Sequence, residues 1–233
     1  MARAHVPLIL AAALLGATAS AAPPPPRDPL YPDVTSLPAP GDAALRILAP
    51  DLLEIRLVQG RTAPGASMSP AETEAPAVGP GDFEVLANGR PAAVSAVGLR
   101  RMPVFADYHV FDLRLMMQVF LRLEKPLPPG AKVEVAERGG KLQPAFGPLA
   151  AEFRPDRISP AIHVSPHGFA PGDPKFAFVS FDLGTLGEMG LPGKATAALL
   201  DKDGKEVFRA ALVRRPDKDW QWHQNVWRLD FSE

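Results

Sequence analysis

Ala197-Ala198-Leu199-Leu200-Asp201-Lys202-Asp203-Gly204-Lys205-Glu206-Val207-Phe208-Arg209-Ala210-Ala211-Leu212-Val213 is the stretch that decides the fold class. Two apolar runs flank a pair of acids and a glycine, and a glycine there supplies the positive φ that a tight hairpin needs. Strands are therefore expected over 197–200 and 206–213, joined by the turn at 201–204. Upstream, Phe176-Ala177-Phe178-Val179-Ser180-Phe181 puts large aromatics on one face and smaller groups on the other, as in a strand covered on both sides. Downstream, 226–231 alternates, with Trp227, Leu229 and Phe231 on one face and Arg228 and Asp230 on the other. That pattern is a half-buried strand.

The same rhythm continues towards the N-terminus. Residues 44–48 and 52–58 alternate around Ala49-Pro50-Asp51, where the proline breaks pairing and sets a bend. Residues 83–87 and 92–97 bracket Asn88-Gly89, a strong hairpin signal. Strands follow at 110–115 and 117–123, the second with Val119, Leu121 and Leu123 against Arg122 and Glu124. Another is expected at 132–137, after the Pro128-Pro129-Gly130 turn. Helix signals are nearly absent, which argues for β-sandwich architecture. Between these strands Gln59 to Asp82 is rich in Pro, Gly, Ser and Ala without periodicity, and is longer than most loops in compact domains.

Composition bounds the rest. The 233 residues allow one or two domains. A hydrophobic content of 46% excludes a wholly disordered chain. Charges of both signs with a net of -1 leave no nucleic-acid footprint. With no cysteine, disulfides and thiolate metal sites are excluded, so packing alone must supply stability. Residues 1–21 read as a signal peptide: Arg3, an apolar core from Val6 to Leu15, and Ala19-Ser20-Ala21 as the small-x-small cleavage site. The apolar run is too short to span a membrane and Pro7 interrupts it. The expected location is secreted or periplasmic. Residues 22–43 form a proline-rich linker that favours extended backbone.

The motifs of the C-terminal part point to a family. Ser159-Pro160-Ala161-Ile162-His163-Val164, Gly168-Phe169-Ala170-Pro171, Pro174-Lys175, the Asp-x-Asp-Gly hairpin and Leu229-Asp230-Phe231-Ser232 together resemble the N-terminal immunoglobulin-like module of glycoside hydrolase family 9 cellulases. Asn88-Gly89-Arg90-Pro91, Val97-Gly98-Leu99-Arg100-Arg101, Asp112-Leu113-Arg114 and 127–135 are similar to an extra β domain of some bacterial members. Where the family usually reads Val-Asn-Gln-x-Gly-Tyr, this chain has Val164-Ser165-Pro166-His167-Gly168-Phe169. The resemblance implies an all-β chain of two immunoglobulin-like β-sandwich domains, 44–155 and 159–233, the second truncated before its closing strand. It also implies an (α/α)6 catalytic barrel as partner and a β-glucan as the polysaccharide degraded.

Candidate site residues are few. An inverting hydrolase needs two carboxylates spaced to admit a water, and in the family these lie in the barrel; no catalytic residue is expected here. Asp201 and Asp203 sit where Asp is favoured for turn hydrogen bonding. Their spacing lacks the further oxygen ligands of an EF-hand. His163 and His167 are four apart but surrounded by Pro160, Pro166 and Pro171, so the helical geometry of a metal pair is missing. His109 and His223 stand alone beside aromatics. No metal or cofactor is expected. Trp220 and Trp222 share a face and are the candidates for carbohydrate contact, in competition with burial at an interface or core. A free-standing carbohydrate-binding module would expose that pair in a flat row; a structural or adhesive Ig-like protein would show neither the platform nor a barrel.

Overall fold

The computed structural model describes residues 9–11, 38–60, 74–107, 109, 112–143, 145–155, 159–216 and 225–232. Among these the chain is all-β, with every strand pairing antiparallel. No helix among them is long and apolar enough to cross a membrane. Two compact units form. One holds the described residues of 27–154 together with Leu183–Gly187; the other holds those of 1–26, 155–182 and 188–233. The first described strand, β1 (Ile9–Ala11), belongs to the second unit.

In the first unit, β2 (Ala43–Ala49) and β3 (Leu52–Gln59) form a hairpin across Pro50 and Asp51. Pro50 donates no backbone bond, and its carbonyl accepts from Leu127 N at 2.8 Å. After a short 3-10 turn at Pro80–Asp82 come β4 (Phe83–Ala87), β5 (Arg90–Pro91), β6 (Val94–Asp107), β7 (Asp112–Leu123), β8 (Lys132–Glu137) and β9 (Leu149–Glu152). They make two four-stranded sheets, β2-β3-β7-β6 and β5-β4-β8-β9. Leu53, Ile55, Leu57, Val119 and Leu121 from one sheet pack with Phe83, Val85, Val133 and Val135 from the other in a single core, which makes the unit a β-sandwich.

Two expectations need correction here. The Asn88-Gly89 turn forms, with φ of 50° and 73°. However, it pairs β4 with the two-residue β5, not with 92–97, which passes into β6 of the opposite sheet. Pro91 cannot extend the ladder, so the hairpin stops there and β4 takes β8 as its main partner. The strands expected at 110–115 and 117–123 are, from Asp112 onward, the single strand β7. Its face opposite the core is also covered: Met116, Gln118 and Phe120 are buried, as are all eight residues of β3. Both central strands are buried on two faces, which marks a sheet enclosed on both sides.

Leu183–Gly187, from the C-terminal half of the sequence, docks on β6. Leu99 N donates to Thr185 Oγ1 at 3.0 Å. A Cβ on Gly98 would lie 2.6 Å from Leu183 O, and one on Gly184 would lie 2.0 Å from Leu99 O. Two glycines let the backbones approach, and Gly184 also takes φ +61°. Leu183, fully buried, anchors the contact.

The second unit contains β10 (Ile162–Val164), β11 (Phe176–Val179), β12 (Thr196–Leu200), β13 (Glu206–Ala211), β14 (Val213–Arg214) and β15 (Trp227–Asp230). Its sheets are β10-β11-β15-β14 and β1-β12-β13. The run 206–213, read as one strand, divides: β13 pairs with β12, and β14 joins β15 in the other sheet. At the crossing, Leu212 N donates to Ala195 O at 2.9 Å. Ala177, Ala197, Leu199, Leu229 and Phe231 form the buried core between the sheets, with Phe169 set edge-on to Phe231 at 5.3 Å. Within β11 the small residues, Ala177 and Val179, are the buried ones; Phe176 and Phe178 occupy the opposite, half-buried face.

Candidate functional site

The aromatic residues divide by strand geometry. Trp227, on β15, is 9% exposed and turned inward with Leu229 and Phe231. Trp220 and Trp222, the expected carbohydrate contacts, lie outside the described residues. On the outer face of β11 and β15, Arg228 stands over the Phe176 ring at 4.9 Å and Arg215 over Phe178 at 6.0 Å. Each guanidinium covers a ring and stabilises it by cation–π attraction. Sugar rings would have to displace these arginines to stack there.

The Asp201–Gly204 hairpin is built by its own side chains. Asp201 Oδ1 accepts from Asp203 N and Lys205 N, both at 2.9 Å, and Gly204 takes φ 78° to close the turn. Asp203 pairs with Lys202 at 2.7 Å, and this bond raises the lysine pKa above its usual range. Asp201 therefore has its carboxylate oxygen committed to two backbone donors, a turn function. Asp230 closes the far end of β15 in a similar way, accepting from Ser232 Oγ at 2.6 Å and Ser232 N at 3.1 Å.

The histidines are separated by their backbones. His163 lies on β10, its Nε2 at 3.1 Å from Ser180 O, a bond in which that nitrogen donates. His167 is exposed in the turn that Gly168 N closes onto Ser165 O. Asp107 Oδ1 accepts from the His109 backbone N at 2.8 Å, and His223 is outside the described residues. Among the described residues no three His, Asp or Glu side chains gather closely enough to hold a metal ion.

A polar cluster that sequence reading missed lies on the covered outer face of β2, β3 and β7. Glu54 is fully buried; it accepts from Arg46 Nε at 2.7 Å and from Gln118 Nε2 at 2.5 Å. Arg46 is opposite Glu54 in the β2–β3 register, and Gln118 opposite Arg56 in the β3–β7 register, so the bonds tie three strands together. A charge buried with a guanidinium and an amide is costly to lose on one side only. On the core-facing side, Gln59 Nε2 donates to Gln143 O at 2.7 Å. Glu54 and Arg56 alternate with Leu53, Ile55 and Leu57, and such alternation is the usual mark of a solvent face. The contrary signal was Leu52 and Val58 on that same face, with Met116 and Phe120 beside them on β7.

Chemically, these groups cap turns, join strands and shield rings. No protein-family model matches the chain, and no curated protein matches it.

Proposed function

We propose that the chain is the non-catalytic, bracing part of an exported family 9-type glycoside hydrolase that degrades cellulose or a related β-glucan, its partner an (α/α)6 barrel. The observation that carries this reading is how the resembling motifs are used within the second unit. Ile162–Val164 and Leu229-Asp230 lie in strands of one sheet, while the Asp-x-Asp-Gly hairpin joins two strands of the other. Phe169 and Phe231 meet in the core between them. In this reading the acids of the motifs are structural: Asp201 holds a turn and Asp230 caps a strand.

The test has two arms. Purified chain, incubated with soluble β-glucans, releases no reducing sugar; release that disappears on substituting one of its carboxylates overturns the proposal. On insoluble cellulose the chain is retained weakly. Tight retention abolished by Trp220→Ala with Trp222→Ala would replace the bracing role with that of a free-standing carbohydrate-binding module.

A further inference from the structure

With no cysteine in the chain, the sulfur that an oxidant can meet is methionine. Strand geometry treats the described methionines differently. Met116 and Met117 on β7, and Met189, are 1%, 0% and 6% exposed. Met102 is 37% exposed. It lies on β6, the edge strand of its sheet, where an irregularity between Pro103 and Phe105 interrupts the ladder beside it. Its register partner on β7 is Met116, and cross-strand partners share a face. Met102 is thus the open rim of the face whose interior holds Met116, Gln118 and Glu54. Two residues earlier on the same strand, and so on the same face, Arg100 Nη2 donates to Met102 Sδ at 3.5 Å. A thioether is a weak acceptor. A sulfoxide is a polar one, and a guanidinium beside it can make a charge-assisted bond to the new oxygen.

We propose that Met102 is a site of oxidation by peroxides and that Arg100 receives the product, its guanidinium donating to the sulfoxide oxygen. In this step the Sδ lone pair attacks one oxygen of hydrogen peroxide, a sulfur–oxygen bond forms and the O–O bond breaks. The proton on the transferred oxygen passes to the departing hydroxide, which leaves as water; the sulfur is oxidised and the peroxide reduced. Sulfoxides ordinarily damage a protein by bringing a polar group into apolar packing. At Met102 the side chain stands outside the core, and its new oxygen has a donor already in place. The same change at Met117 would put that oxygen into the core of the first unit. Met102 is therefore the thioether that an oxidant reaches first, at a position where the fold tolerates the product. This assignment is independent of any glucan-related role.

Hydrogen peroxide is the probe, added to the full chain while oxidation is followed residue by residue in peptide mass spectra. Met102 is expected to oxidise about tenfold faster or more than Met116, Met117 and Met189, whose sulfurs must await local opening. Once Met102 is oxidised, the Arg100 side-chain N–H resonances shift and exchange more slowly with solvent, and the melting of the first unit does not fall. In Met102→Leu the same treatment leaves those resonances where they were. In Arg100→Leu, oxidation of Met102 lowers the melting temperature, because the new oxygen has lost its donor. Oxidation of Met102 no faster than that of the three buried methionines overturns the site. Selective oxidation with the Arg100 resonances unmoved, or with the same fall in melting in the native chain as in Arg100→Leu, overturns Arg100 as the receiver.

Discussion

In the first unit, β3 and β7 lie side by side with both faces buried; in the second, β11 and β15 bury one face and leave phenylalanines under arginines on the other. Among the described residues the first core gathers sixteen buried apolar side chains, the second five, two of them alanine. Burial of a large apolar side chain is worth about 1.5–3 kcal/mol, and alanine offers little of this. The first unit therefore rests on side-chain packing. The second depends more on backbone pairing, hairpin chemistry and its edges.

The largest expected effect separates the cores directly. Leu121 and Leu229 are both fully buried leucines on central strands. Leu121→Ala should destabilise the first unit by about 3–5 kcal/mol, since a dense core cannot collapse into the vacated volume. Leu229→Ala should cost the second unit about 2–3 kcal/mol, because a small core relaxes more readily. Calorimetry should resolve two transitions, the lower belonging to the second unit and each moved by only its own variant. Limited proteolysis should agree, with cleavage within 162–233 before the core of 44–153 yields. If Leu229→Ala moved the upper transition, the ranking of the two units would be reversed.

A middle-sized effect concerns the borrowed segment Leu183–Gly187. In Gly184→Ala the added methyl would meet Leu99 O at 2.0 Å, at a residue whose φ is +61°. Backbone strain of this kind costs about 1–3 kcal/mol. The expected outcome is undocking of the segment with the sandwich core intact: the Leu99 amide loses its bond to Thr185 Oγ1 and exchanges faster, while amides of β8 do not. Unchanged Leu99 exchange would show that the contact adjusts around the methyl.

Sequence reading located the strands where alternation and turn residues agree. The Asp-x-Asp-Gly hairpin, the Trp227-Leu229-Phe231 face and the 132–137 strand all obey local rules, and all are found. What it could not supply was partner choice. Arg90 and Pro91 pair with β4 while 94–107 departs to another sheet, a decision made by tertiary packing beyond any four-residue turn. The single run 206–213 likewise hides a change of sheet at Leu212. Glu54 shows the same limit in a candidate site. Its alternation with leucine and isoleucine matches a solvent-facing residue, and only the apolar neighbours across the strands reveal that its face is covered. Asp201 was legible because its bonds close within four residues.

Acid should produce the smallest and most even effect, and this provides the last check on the comparison. Among the described residues each unit carries two carboxylates held below their usual range. In the first, Lys141 and then Gly79 N lower Asp82, and Arg114 lowers Asp112. In the second, Arg209 lowers Glu206, and the Ser232 hydroxyl and backbone lower Asp230. A carboxylate with a depressed folded pKa contributes stability that is complete above its unfolded value and is lost as pH falls through the folded one. Ordinary Asp and Glu titrate at about 4. Both transitions should thus hold steady from pH 7 to about pH 5 and decline together below about pH 4, with their order preserved. Asp82 and Asp112 are partly buried while Glu206 and Asp230 are exposed, so salt should weaken the dependence more in the second unit. Thermal scans across that range measure it directly. A fall confined to one unit, or one that begins above about pH 5, would place the controlling charge outside these four carboxylates and break the parallel between the units.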